Sequence, residues 1–133
     1  MNPNLFVYGS LMSSSRHPMG DRLRRDARLL GEATIEGSLY RISWYPGLVA
    51  GEQPGERVHG EVYALENPAR ALAWLDEYEG LVPGNPSAGE YERVELPVRL
   101  STEETLTAWV YVYRGATTKL ARVLSGRWTP EPR

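Results

Sequence analysis

Three carboxylates crowd the six-residue stretch LDEYEG, at Asp76, Glu77 and Glu79. A carboxylate can take a proton from a nucleophile and return it to a leaving group, provided its surroundings lift its pKa toward neutrality. The stretch closes a helical pattern over residues 68–80, with Asn67 as N-cap, Pro68 at the first helical position and Gly80 as the stop. On that helix Leu72, Leu75 and Glu79 fall at i, i+3 and i+7 and share one stripe, which Ala71, Trp74 and Tyr78 widen. Glu77 lies on the opposite side and Asp76 at the border. Negative charge in a last turn opposes the helix macrodipole, so a local rule is broken here. Glu79 is the acid such a helix would hold against a core, where burial and the helix C-terminus would both raise its pKa. The other reading is three solvated carboxylates on a surface helix, and spacing alone leaves both open.

A second stretch, NLFVYGSLMSSS, begins as a short strand over residues 5–8 and turns at Gly9-Ser10. A strand running into such a turn can present successive backbone N–H groups to an anion, carboxylate or phosphate. It can equally be a tight turn in which Ser10 is a cap and the glycine only punctuates.

Other chemistries find no support. There is no cysteine, which removes disulfides, thiolate metal sites, iron–sulfur clusters and cysteine nucleophiles together. No G-x-S-x-G occurs, and His17 and His59 lack metal-ligand spacing, so both read as structural or exposed. A net charge of -2 gives no case for binding nucleic acid or an anionic membrane by bulk electrostatics. No apolar run approaches the ~20 residues of a membrane span. The N-terminus shows no signal-peptide pattern, and a cytoplasmic location is expected.

The elements that must position these residues are mostly strands. At 133 residues, 41% hydrophobic and 24% charged, the chain is expected to form one soluble domain over residues 1–133. Residues 27–42 read as two strands broken near Gly37. Residues 56–65 alternate, with Val58, Gly60, Val62 and Ala64 on one face. Residues 90–100 form another strand, in which Pro97 marks an edge or a bulge. The strongest pattern is residues 105–115, with Leu106, Ala108, Val110 and Val112 facing one way and Trp109, Tyr111 and Tyr113 the other. A strand apolar on both faces belongs inside a sheet or in the wall of a filled barrel. A shorter helix is expected over 18–25, and the Gly- and Pro-rich segment 80–89 reads as a surface loop, a lid or an inert turn. The fold class expected is α+β, a small mixed, strongly curved β-barrel with one main helix and short flanking helices.

LFVYGSLM, LYRISWYPGLVAG, VHGEVYAL, LDEYEG, EYERVEL and AWVYVY follow one another in an order and spacing that resembles the γ-glutamylcyclotransferase-like family. The likeness runs from Leu5 to Trp128 and is greatest to the small single-domain branch of γ-glutamylamine cyclotransferases and avirulence-induced proteins. The resemblance implies a mixed barrel with outer helices and a cavity at one end. It implies that Tyr8, Gly9, Ser10 and Leu11 bind a γ-glutamyl group, largely through backbone N–H groups, and that Glu79 is the catalytic acid and base. It also implies release of 5-oxoproline and a free amine from a γ-glutamyl amine or related γ-glutamyl compound, with no metal or cofactor. Tyr45, Pro46 and Gly47 match a loop near that site, and Tyr91 and Arg93 match a Y-x-R that could serve packing or an Arg–carboxylate pair. Tyr111 and Tyr113 could line the cavity or be plain core. The rival readings are a non-catalytic binding module of the same fold and a purely structural domain. Oligomeric state is left open.

Overall fold

The computed structural model describes residues 1–13, 17–51, 55–81 and 89–129. Among them are seven strands and two helices, in the order β1 (Asn4–Val7), α1 (Pro18–Asp26), β2 (Ala27–Arg41), β3 (Pro46–Ala50), β4 (Arg57–Leu65), α2 (Pro68–Tyr78), β5 (Tyr91–Leu100), β6 (Thr105–Tyr113) and β7 (Ala121–Arg122). Strands β2, β4, β1, β6 and β5 pair in that order, and β5 returns to β2 to close a five-stranded barrel. All contacts in the barrel wall are antiparallel except β1 with β6. The short strands β3 and β7 both pair with the far end of β2.

Closure depends on the length and curvature of β2. Its 15 residues pair first with β4 and then with β3, and the register shifts between Leu29 and Gly31. A bulge of this kind bends a strand and increases its twist. The expected break at Gly37 is not there: Gly37 lies inside the continuous strand, opposite Ala50. A Cβ at Gly37 would come within 2.8 Å of the Val49 carbonyl, so the glycine permits close approach of β3 rather than ending the strand.

Alternation along the strands divides the apolar residues into two cores. Phe6, Ile35, Val58, Val62, Ala108 and Val110 fill the barrel, joined by Trp128 from the C-terminal segment. Leu5, Val7, Tyr63 and Tyr111 point outward and pack beneath Leu23 of α1 and Leu72 and Leu75 of α2. The two-faced pattern of β6 arises because each face meets a different core. In β4 the expected face holds for Val58, Gly60 and Val62, but Tyr63 and Leu65 are also buried and Ala64 is only partly so. There the outer face is covered by helices, and alternation gives way to burial on both sides.

Helix α2 begins as its sequence predicts, with Asn67 Oδ1 accepting from the Arg70 N–H at 3.2 Å and Pro68 in the first turn. It buries Ala71, Leu72, Trp74 and Leu75, and each buried leucine contributes roughly 1.5–3 kcal/mol. The helix ends at Tyr78, with Glu79 as C-cap and Gly80 at φ 77°, a backbone conformation that favours glycine. Residues 82–88 of the expected 80–89 loop lie outside the described residues. Pro97 sits opposite Thr107 of β6, in a stretch of β5 that pairs with β2 only at Arg99 and Leu100, so its edge-like placement agrees with its missing N–H. No helix among the described residues is long and apolar enough to cross a membrane.

Candidate functional site

The end of β1, the start of β3, the C-terminus of α2 and the start of β5 converge around a cavity of about 270 Å³. Tyr8, Gly9, Ser10 and Leu11 line it, and so does Glu79. Two motifs some seventy residues apart in sequence therefore share one concavity, with Tyr45, Pro46, Tyr78, Tyr91 and Tyr111 completing most of the wall.

The loop after β1 is held from several sides. The Tyr8 hydroxyl donates to the Tyr111 carbonyl at 2.5 Å and accepts from the Leu48 N–H at 3.2 Å, pinning the strand end between β6 and β3. Burial, reinforced by the charge of Glu79, raises the Tyr8 pKa far above its ordinary value, so this phenol stays protonated. A Cβ on Gly9 would sit 2.9 Å from the ring carbons of Pro46, so only glycine lets the loop pass this close to β3. The Gly9 carbonyl accepts from the Met12 N–H at 3.0 Å, closing the turn. Among the described residues, no group accepts from the N–H groups of Gly9 or Leu11. Ser10 Oγ shares a 2.7 Å hydrogen bond with the Tyr78 hydroxyl. The Leu11 side chain is buried with Leu23 of α1.

Glu79 follows the last residue of α2, and its N–H donates to the Leu75 carbonyl at 2.9 Å. Its carboxylate receives no hydrogen bond from any described group. Part of the residue reaches the surface at the cavity wall, but the carboxylate is desolvated enough to push its pKa up to about 7. Burial is the larger cause, and the negative charge of Asp76 adds to it.

Asp76 is engaged differently. Arg93 grips it through Nε to Oδ1 at 2.8 Å and Nη2 to Oδ2 at 3.2 Å, and the Tyr111 hydroxyl donates to Oδ1 at 2.6 Å. The Arg93 guanidinium also lies over the Trp109 ring, 4.4 Å from its centroid. Of the two roles open to Arg93 from the sequence, packing and a carboxylate pair, both are realised. Tyr91 is likewise structural, its hydroxyl donating to the Pro46 carbonyl at 2.5 Å. Glu77 is exposed.

Residues 5–130 match the model of the family described as "Gamma-glutamyl cyclotransferase, AIG2-like". The chain belongs to this family. It is 36% identical over 126 residues to the γ-glutamylcyclotransferase family protein YtfP of Escherichia coli strain K12, covering 93% of this chain and 94% of that protein. The solution NMR structure of ytfP from Escherichia coli superposes with a TM-score of 0.64 at 35% identity, covering 94% and 95% of the two chains. The crystal structure of an AIG2-like protein from Mus musculus shares the fold, with a TM-score of 0.67 at 21% identity over 98% and 97% of the chains.

In this γ-glutamylcyclotransferase family member the cavity also has walls that sequence reasoning did not select. Trp44 and Glu90 line it, and Tyr45 donates from its hydroxyl to the Glu90 carboxylate at 2.9 Å. Tyr78 was read only as part of the apolar face of α2, yet its hydroxyl ties the helix to Ser10. The available signal was its place directly before Glu79. Glu90 offered none, because the register of β5 alone brings it to the mouth. Tyr111 lines the cavity, whereas Tyr113 packs edge-on against Tyr91 with ring centroids 5.9 Å apart. His17 caps α1, its Nδ1 accepting from the Met19 N–H at 3.1 Å, and its ring lies against Trp44 and Tyr78. His59 lies in a different cavity, beside Arg57 and Arg127.

Proposed function

We propose that the chain is a cyclotransferase that releases 5-oxoproline and a free amine from a γ-glutamyl amine or a related γ-glutamyl compound. The observation that carries this reading is the Glu79 carboxylate, bonded by no described group and with its pKa pushed up to about 7, in the wall of the same cavity as Gly9 and Leu11, whose N–H groups have no acceptor among the described residues. Family membership sets the reaction class in which that arrangement has a use.

The reaction asks for a base and a mould. The substrate's own α-nitrogen attacks its γ-carbonyl carbon, the lactam C–N bond forms, and the bond from that carbon to the leaving nitrogen breaks. An α-ammonium and an amide together hold four N–H protons. The products, a lactam N–H and an alkylammonium, also hold four, so two protons cross from one nitrogen to the other. Glu79 accepts each and returns it, a role that contributes roughly 10²–10⁴-fold. A pKa near the working pH suits a group that must be base first and acid second.

The segment Tyr8, Gly9, Ser10 and Leu11 holds the γ-glutamyl group, with main-chain N–H groups receiving carboxylate or developing oxyanion charge. Holding the α-nitrogen against the γ-carbonyl supplies a further share of the rate by removing the entropy of ring closure. Nothing in this scheme draws on a metal or cofactor.

The test is 5-oxoproline release, read by mass spectrometry, from a panel of γ-glutamyl amines, γ-glutamyl amino acids and glutathione. Release from at least one member is expected. Binding of a γ-glutamyl compound with no release from any would replace the enzyme by a binding module.

A further inference from the structure

A second cavity, of about 640 Å³, shares no lining residue with the first. It is built where β2, β4 and the end of β5 meet the C-terminal segment. Thr34 of β2 stands opposite His59 of β4 on one side and Arg99 of β5 on the other, so the three side chains share one face of the sheet. They alternate with Ala33, Ile35, Val58, Val98 and Leu100 of the barrel core, which puts that face on the outside of the wall. Arg57, two residues before His59, reaches the same threonine, with Nη1 3.4 Å from Oγ1. Arg127 arrives from the C-terminal segment. That segment is fastened by the His59 N–H, which donates to the Gly126 carbonyl at 2.8 Å, and by Trp128 in the barrel core. Three arginines and a histidine thus line one concavity around Thr34.

These groups are close enough to act on one another. Burial lowers the His59 pKa, the charge of Arg127 lowers it further, and Arg57 adds to this against the opposing charge of Glu32. Two carboxylates of the wall are engaged elsewhere. Glu61 accepts from the Ser13 N–H at 2.8 Å, from Ser13 Oγ and from the Tyr63 hydroxyl, and Glu103 pairs with Arg99. Beside the basic groups the lining is apolar, with Ala33, Leu100 and Trp128 of the barrel core. A volume of this size lies in the range of roughly 300–1,000 Å³ that small-molecule sites occupy. Guanidinium forks match the spacing of phosphate oxygens, and an imidazole and a hydroxyl add single donors. We propose that this cavity binds a small molecule through a phosphate group. Arg57, Arg127, His59 and the Thr34 hydroxyl hold the phosphate, and the organic part lies against Trp128, Leu100 and Ala33. The site uses neither Glu79 nor the glycine loop, so it stands whether or not the cyclotransferase reading does.

The chain holds two histidines, His59 in this cavity and His17 against Tyr78 of the first, so their ring signals in proton–carbon NMR report which cavity a ligand enters. Inorganic phosphate, phenyl phosphate and phenol are the probes, each titrated into the whole chain at constant pH and ionic strength. Phenyl phosphate should move the His59 signals saturably and bind about threefold or more tighter than inorganic phosphate, because its ring covers apolar surface. Phenol should leave them in place. Arg57 and Arg127 are exposed, so glutamine at either position is compatible with the fold. Arg57→Gln and Arg127→Gln should each weaken phenyl phosphate about five- to tenfold, the loss of one charge-assisted contact at an accessible site. Added salt should weaken it as well. His59 signals unmoved by both phosphates, or a response at His17 alone, would overturn the proposal. So would phenol binding as tightly as phenyl phosphate, inorganic phosphate binding as tightly as phenyl phosphate, or an affinity that neither arginine substitution changes.

Discussion

Ser10 Oγ and the Tyr78 hydroxyl lie 2.7 Å apart, and this hydrogen bond joins the glycine loop after β1 to the end of α2, one residue before Glu79. The two stretches to which the proposed reading gives substrate binding and proton transfer are thus held in register by a contact between side chains. Breaking the bond should cost about 0.5–1.5 kcal/mol of stability. It should cost more in turnover, because small misplacements of reacting groups are expensive. Ser10→Ala and Tyr78→Phe should each lower kcat about tenfold, and the double variant should be little worse than either, since both remove the same contact. Additive losses in a double-mutant cycle would show that the two hydroxyls act independently.

The pH dependence of kcat/KM should follow Glu79. A general base must be ionised in the free enzyme, so activity should rise with pH and reach half its plateau near pH 7, where the carboxyl titrates. Asp76→Asn removes the negative neighbour and should move this limb to lower pH. The displacement should be smaller than the rise that burial imposes, because burial is the larger cause.

Stability should show the same group with the opposite sense. The folded state holds the Glu79 proton more tightly than the unfolded chain does, with a pKa of about 7 against 4.5. The contribution is therefore fully present below about pH 4.5 and is lost as pH rises through about 7. Glu79→Gln, which never ionises, should melt above wild type at pH 8 and show no such advantage at pH 4. The gain at high pH has an upper bound of about 3 kcal/mol. Thermal melts of both proteins at the two pH values would measure it, and equal differences at both would contradict the assignment.

The Arg93 fork should be a structural element that a lysine cannot replace. Arg93 grips Asp76 with two nitrogens, both partners are mostly buried, and the guanidinium stacks on Trp109. Arg93→Ala should lower stability by about 2–4 kcal/mol, and Arg93→Lys should recover only part of it, because an ammonium neither forks nor stacks. Denaturant titration of the three proteins would test this, and full recovery by lysine would mean that charge alone matters.

What could be read from the sequence was whatever depends on local period. The two faces of β6 and the cap, stripe and stop of α2 were legible because alternation and helical spacing are written along one segment. The placement of Glu79 against the core followed from the same spacing. Gly37 was misread because its purpose, room for β3, depends on a partner strand that local pattern does not name. Asp76 was placed only at a border, since its engagement with Arg93 needs the register of β5 against β6. Trp44 and Glu90 were invisible for the same reason: they become neighbours only once β3 and β5 are set around the cavity mouth.

The central claim is that Glu79 moves the protons of ring closure. The most direct measurement is 5-oxoproline release by wild type and Glu79→Gln side by side, on whichever γ-glutamyl compound wild type turns over, with the affinity of the variant for that compound measured in parallel. The prediction is a loss of turnover of about 10²-fold or more with affinity kept within a few-fold, because the glutamine preserves shape and removes only the base. Turnover that survives the substitution would mean that another group carries the protons.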